Sequence, residues 1–358
     1  MDKNSSLFDS DIDEYNKNSI FNEEFDSEGE VDVKGYRLLP SKILFHSDKV
    51  AYFEELELWR ENKKSEKIEL VTEILKNFDN KGRLTDLIRS IRNKRALPFV
   101  GAGMSVPSGM PGWSKFLKKC AEEGSLDAAH IDMLIKDGKF EDCADLIIKH
   151  LTEDWFNQKF RYNFSSEISD IKGAVQLLPD LFSSGIITTN FDNVLEKVFI
   201  QNEKAFEHIS IGPKNDFSKY LSKGIHSLFK IHGDIYSPAD RVLTKREYDA
   251  AYGNMVDSFG NLIPKFIKHV STSYCLLFLG CSLTQDRTMS VLRSIKELHQ
   301  SEGLGSPEHF AILSLPEAEE ERVEREKLLI KHSIFPIWYP TEEHEYIEYI
   351  LTFVLEQI

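Results

Sequence analysis

Four short segments carry residues whose types and spacing can do chemistry. The first, Phe99 to Ser105 (FVGAGMS), ends an apolar run in Gly101-Ala102-Gly103. Two glycines around a small residue let the backbone turn tightly and come close to a ligand, and a helix starting there offers free N–H groups to a pyrophosphate. Val106 stands where the dinucleotide fingerprint has its third glycine, so a plain structural turn explains the segment equally well. The second, Ile187 to Asp192 (ITTNFD), presents Asn190 and Asp192 after a β-branched run. An amide supplies both a donor and an acceptor, while the simpler role of these residues is to cap a helix. The third, Lys230 to Ile235 (KIHGDI), sets His232 beside Gly233 and Asp234. A histidine in a pocket is a general base near neutral pH; an isolated one is often only a satisfied structural side chain. In the fourth, Phe278 to Asp286 (FLGCSLTQD), Gly280 and Ser282 suit a ribose or phosphate. They equally suit an ordinary strand-to-helix turn with Ser282 or Thr284 near the helix start.

Each segment closes or interrupts an apolar run: ALPFV, GIITT, SLFKI and YCLLFL. HFAILSL and IFPIWYP supply two later runs of the same kind. Strands that are apolar throughout, alternating with helices, predict a parallel sheet covered on both faces. The fold expected is therefore α/β, a Rossmann-like doubly wound parallel sheet. Ligands of such sheets lie beyond the carboxyl ends of the strands, where the four turns can converge. Amphipathic stretches such as WSKFLKKCAEE and FEDCADLIIKH predict an inserted helical subdomain over about 113–184. Residues 36–96, with AYFEELELWRENKK, SEKIELVTEILKNF and RLTDLIRSIRNK, predict an N-terminal helical extension ahead of a domain spanning 97–358.

Charge divides the chain further. The net charge is −15, and residues 1–35 hold eleven acidic residues against three lysines, or −8 of it. That segment reads as a solvated, disordered tail, or as an arm for a basic partner anchored by Phe8, Tyr15, Phe21 and Phe25. The acidic balance argues against direct nucleic-acid binding, which needs clustered Lys and Arg. No apolar run nears the roughly 18 residues of a membrane span, and the N-terminus has no signal-peptide core. The chain reads as cytoplasmic, with no membrane partner. Cys120, Cys143, Cys275 and Cys281 show no C-x2–4-C spacing, so no zinc site is expected and the thiols read as reduced.

The order GAG-x-S, T-x-N-x-D, HGD, G-x-S resembles the sirtuin-type NAD-binding fold over roughly residues 95–345. On that resemblance Gly101, Ala102, Gly103 and Ser105 form the opening dinucleotide loop. Pro107 to Pro111 form the flexible cofactor loop. Asn190 and Asp192 match the family's TQN-x-D motif, with Thr189 in place of Gln. His232 matches the catalytic histidine, and Gly280 and Ser282 the adenosine-ribose turn. Sirtuin deacylases carry a four-cysteine zinc module after the HG motif, whereas residues 236–273 here hold no cysteine. VLTKREYDAAYG and the helical insertion resemble the sirtuin-like NAD hydrolases of bacterial anti-phage defence. The chain's length resembles the stand-alone subunits that pair with a HerA-type ATPase.

The resemblance implies hydrolysis of the nicotinamide–ribose bond of NAD, with NAD as substrate, to deplete the cell's NAD. It implies Asn190, Asp192 and His232 as catalytic residues, and Gly101, Ala102, Gly103, Ser105, Pro111, Thr189, Gly280 and Ser282 as dinucleotide contacts. It further implies a homo-oligomer gated by a partner ATPase. An NAD-dependent deacylase and a non-catalytic NAD-binding subunit remain as alternatives.

Overall fold

The computed structural model describes residues 11–165, 168, 170–214, 216–253, 259–283 and 287–358. Phe8, Thr284 and Asp286, named above, lie outside them. The chain divides into two compact units, residues 1–70 and 71–358.

The smaller unit corrects the expectation of a disordered tail over residues 11–35; residues 1–10 of that tail lie outside the described residues. Its residues form a helix, Ser19–Phe25, a hairpin of β1 (Val31–Val33) and β2 (Tyr36–Leu38), the helix Pro40–Ser47, and most of the helix Lys49–Ile74. Phe21, Phe45, Tyr52 and Leu56 are its buried core, with Tyr15 and Phe25 packed against them. The rings meet edge to face, Phe21 and Tyr52 at 5.4 Å and Phe45 and Tyr52 at 4.9 Å. The carboxylate of Asp26 accepts from the Ser41 N–H at 2.7 Å and its hydroxyl at 2.6 Å. Net charge predicts disorder only when too little apolar surface is available to offset chain entropy. Here the aromatics spaced through the acidic stretch find aromatic partners on the two following helices.

The larger unit is built on seven parallel strands in the order β5-β6-β4-β3-β7-β8-β9. They are β3 (Ala96–Val100), β4 (Gly185–Thr188), β5 (His208–Ile211), β6 (Ser227–Lys230), β7 (Cys275–Leu279), β8 (His309–Ser314) and β9 (Ile334–Tyr339). The chain enters at the centre, builds outward through β4 to β6, then crosses back to β7 on the other side of β3. That reversal opens a crevice beyond β3 and β7, the place where doubly wound sheets bind ligands. Both faces are covered. Val100, Ile186, Leu228, Leu277 and Phe310 bury into one core, and Phe99, Ile187, Phe229, Phe278 and Ala311 into the other. Six strands follow the apolar runs seen in the sequence. The seventh, β5, has the composition HISI and a half-exposed edge position, so it lacks the apolar continuity that marks the rest.

The helix Asn80–Arg92 belongs to this unit, so the expected boundary between residues 96 and 97 does not fall between the compact units. Asn80 fixes it. Its Nδ2 donates to the Trp338 carbonyl at 2.8 Å and its Oδ1 accepts the Trp338 N–H at 2.9 Å, so one amide side chain imitates a further strand beside β9. Among the described residues, the part of the expected insertion up to residue 164 forms four helices, Trp113–Glu123, Ala128–Lys136, Phe140–Leu151 and Glu153–Phe164, while the short helix Leu178–Leu181 packs into the sheet's own core. The four share their own core, which includes Phe116, Leu117, Ile147, Phe156 and Phe160.

Candidate active site

The crevice holds a cavity of about 330 Å³. Its floor is two glycine turns in backbone contact. Gly101 donates to the Leu279 carbonyl at 2.8 Å and Gly103 to the Gly280 carbonyl at 2.9 Å. A Cβ on Gly101 would stand 2.6 Å from Gly280 O, and one on Gly280, which has φ +64°, would stand 2.5 Å from the Met104 nitrogen. The glycines are therefore required where two loops touch, a reason independent of any ligand. The expected helix N-terminus after GAG is absent. Two single 3-10 turns, Ala102–Met104 and Val106–Ser108, follow instead, and the next α-helix begins at Trp113. Gly109 at φ +87° ends the second turn, and Gly112 is extended ahead of the helix. A pyrophosphate thus has no α-helix N-terminus at this loop.

Asn190 follows β4 and leans over the first turn. Its Nδ2 donates to the Gly101 carbonyl at 3.0 Å and to Ser105 Oγ at 3.1 Å. A carbonyl only accepts, so the nitrogen must face it, and Oδ1 takes no part in these two bonds. Ser105 passes the bond on to Asp192 Oδ1 at 3.1 Å, and Asp192 also accepts the Val194 N–H at 3.0 Å. Asp192 thus meets the first N–H of the helix Val194–Gln201, whose N-cap is Asn193, while lining the cavity. Burial pushes its carboxyl above the ordinary value, against the Val194 N–H, the Lys230 charge and the Ser105 hydroxyl, which pull it down. Lys230 stands beneath this loop. Its Nζ donates to the Asp192 carbonyl at 2.7 Å and to Glu196 Oε1 at 2.7 Å, with its own side chain 3% exposed.

His232 follows β6 on the next wall. Its Nε2 is 2.8 Å from the Tyr252 hydroxyl, which is 3.0 Å from Thr288 Oγ1. Burial pushes the imidazole down to about 3, so it is neutral at physiological pH, and the same burial disfavours the charged form. Tyr248 meets the same ring edge to face at 5.2 Å and stacks on Tyr252 at 5.6 Å. Both tyrosines come from the helix Lys245–Tyr252, which starts with a full capping box between Thr244 and Glu247. The helical insertion closes the far side with Trp113, Phe140 and Phe164. Phe191 leaves the Asn190 loop to pack into that insertion, 4.9 Å from Phe160.

Of the residues singled out in the sequence, Gly101, Ala102, Gly103, Thr189, Asn190, Asp192, His232, Gly280 and Ser282 line this one cavity. Two do not. Ser105 is buried behind Asn190 and works through it, and Pro111 lies in the extended link before Trp113. Tyr248, Tyr252, Thr288 and Arg287 were missed. The T-x-x-E pattern of Thr244 to Glu247 marks the helix that carries both tyrosines, and their i, i+4 spacing puts them on one face. Nothing local marks Thr288 or Arg287. Among the described residues, no group of three or more His, Cys, Asp or Glu is arranged to hold a metal ion. None of their helices is long and apolar enough to cross a membrane.

Fold and cavity define a Rossmann-like α/β protein with a largely apolar, partly aromatic crevice at its strand ends, set with a few polar groups. Comparison with known proteins narrows this. Residues 184–337 match the SIR2-like domain family. The chain is similar to the NAD(+) hydrolase ThsA of Cytobacillus dafuensis, with 27% identity over 65% of this chain and 44% of the relative. It is 23% identical to the protein of that name from Bacillus cereus strain MSX-D12, over 67% of this chain and 48% of the relative. The counterpart from Enterococcus faecium is 25% identical over 61% and 44%. The chain spans less than half the length of these curated relatives.

Proposed function

We propose that this chain is an NAD hydrolase that splits the nicotinamide–ribose bond, giving nicotinamide and ADP-ribose. The observation that carries it is the convergence of Asn190, Asp192 and His232 on one cavity whose floor is the paired glycine turn. The similar proteins are named NAD(+) hydrolases, which supports the same substrate.

In this reading the C1′–N bond breaks with its electron pair leaving on nicotinamide, which departs neutral. Water then adds its oxygen to the oxocarbenium-like C1′ and gives up a proton. Asn190 Oδ1, which takes no part in the bonds of Nδ2, orients the ribose and the water. His232 is assigned as the base, taking that proton or one from a ribose hydroxyl, on its place in the cavity beside Asn190. Tyr252 and Thr288 hold the ring in place behind it. Asp192 anchors Ser105 and, through it, Asn190.

The test is mass spectrometry of NAD incubated with the full chain, with and without an acylated peptide. Nicotinamide and ADP-ribose formed without peptide support hydrolysis. A requirement for peptide replaces it with deacylation, and NAD that binds but survives replaces it with a non-catalytic role. Asn190→Ala and His232→Ala are each expected to abolish NAD loss, with the unfolding midpoint within a few degrees of the wild type. We further propose a defence role through NAD depletion, assembly as a homo-oligomer, and gating by a HerA-type ATPase partner. These rest on the resemblance of VLTKREYDAAYG and of the helical insertion. Size-exclusion chromatography and NAD turnover, with and without such an ATPase, test them.

A further inference from the structure

A dinucleotide brings a diphosphate, and the cavity has few means of meeting it. Among the described residues lining it, Asp192 and Arg287 carry the charges. Asp192 is an acid, and the turn after β3 offers no α-helix N-terminus. Arg287 is the first residue of the helix Arg287–Ser301, shortly after the Ser282 turn. Its guanidinium is already engaged: Nε and Nη2 meet the two oxygens of Glu141 at 3.0 and 2.6 Å, and Nη2 also meets Asp249 Oδ1 at 2.6 Å. The group sits over the Tyr248 ring, 5.5 Å from its centroid.

We infer that Arg287 is the phosphate-binding side chain of this cavity and that Glu141 and Asp249 hold it in reserve, so that a diphosphate ligand and two carboxylates compete for one guanidinium. This deepens the NAD hydrolase reading and takes its ligand class from it. The two-pronged contact with Glu141 is the geometry an arginine also offers a phosphate. A second arginine shows what a purely structural one looks like. Arg241 is 4% exposed at its side chain and is fixed to Asn157 at 2.5 Å and Glu247 at 2.9 Å. Arg287 and Glu141 are 19% and 22% exposed, and Asp249 is 47% exposed, so water reaches the pair and partner exchange does not strand a buried charge.

The exchange has a mechanical result. Glu141 is on the insertion helix Phe140–Leu151, and its neighbour Phe140 lines the cavity. A phosphate that takes Arg287 from Glu141 therefore releases the wall that Phe140 forms. The cavity of about 330 Å³ is at the low end of the range of about 300–1,000 Å³ usual for small-molecule sites, as expected with the clamp shut.

The experiment is calorimetric titration of the full chain with ADP-ribose and, separately, with adenosine, which lacks phosphate. Arg287→Gln should weaken ADP-ribose about tenfold or more and change adenosine less than about twofold. Glu141→Gln should tighten ADP-ribose several-fold by removing a competitor. Arg287→Lys, which keeps the charge and loses the fork, should fall between and serves if the Gln variant does not fold. Equal ADP-ribose affinity in wild type and Arg287→Gln overturns the inference, as does equal loss of adenosine and ADP-ribose. So does failure of both wild type and Glu141→Gln to bind ADP-ribose. If ADP-ribose binding depends on Arg287 while NAD is never cleaved, the hydrolase reading falls and this inference stands.

Discussion

The cavity has two unlike walls. The sheet side is tied by backbone and buried polar bonds: the turns after β3 and β7 interlock through Gly101, Gly103 and Gly280, and Lys230 holds the Asn190 loop from below. The insertion side is a set of aromatic faces, Trp113, Phe140 and Phe164, whose polar tie at the mouth is the water-accessible pair of Arg287 and Glu141. Directional bonds fix atoms to fractions of an ångström, while aromatic faces fill space and tolerate sliding. The catalytic candidates Asn190, Asp192 and His232 all sit on the directional side. Positioning is assigned to the sheet and admission to the helices.

Breaking the two walls should give different phenotypes. Lys230→Met removes the cation from a buried pair and leaves Glu196 unpartnered. It should cost about 3–5 kcal/mol in chemical denaturation and abolish activity with the loop displaced. A Lys230→Met protein of wild-type stability and turnover would erase the distinction. Gly280→Ala forces a Cβ into the Met104 nitrogen at positive φ. About 2–3 kcal/mol is expected, with loss of ligand binding in the folded fraction. Phe164→Leu, on the helical wall, should cost only about 1–2 kcal/mol. There KM for NAD should change while kcat stays within about twofold, and steady-state kinetics separate the two.

Acid should weaken the sheet side first. Burial pushes both His232 and His309 down to about 3. His309 Nδ1 accepts the Leu276 N–H at 3.2 Å, a role available only to neutral imidazole. Between about pH 6.5 and about 3 the unfolded chain binds these protons and the folded chain does not, so stability falls as pH drops through that window. Asp192, whose carboxyl is raised, acts oppositely: its contribution is lost as pH rises through its folded value. His309→Asn, which can still accept the Leu276 N–H, should flatten the slope of denaturation midpoint against pH between about 6.5 and 5. An unchanged slope there would place the acid sensitivity elsewhere.

Six of the seven sheet strands were legible because burial on both faces leaves an unbroken apolar run. β5 was not, since an edge strand needs no such run. Asn190, Asp192, His232 and Gly280 were legible because each follows a strand end. Arg287 and Thr288 were not, because they reach the cavity through a long-range contact that no local spacing encodes. The GAG glycines have a further cause that the sequence did not show: besides lining the cavity, they meet another stretch of backbone. Pro111 and Ser105 do not line the cavity, because proximity in sequence to the loop is not access to it.

The touching glycine turns also limit how this site can change through descent. Where backbone meets backbone there is no side chain to exchange, and substitutions at Gly101 or Gly280 meet carbonyl or amide atoms before they meet any ligand. The floor is thus closed to gradual adaptation. A lineage that altered its ligand preference would have to do so through the helical insertion and the mouth, and variation among natural copies should concentrate there.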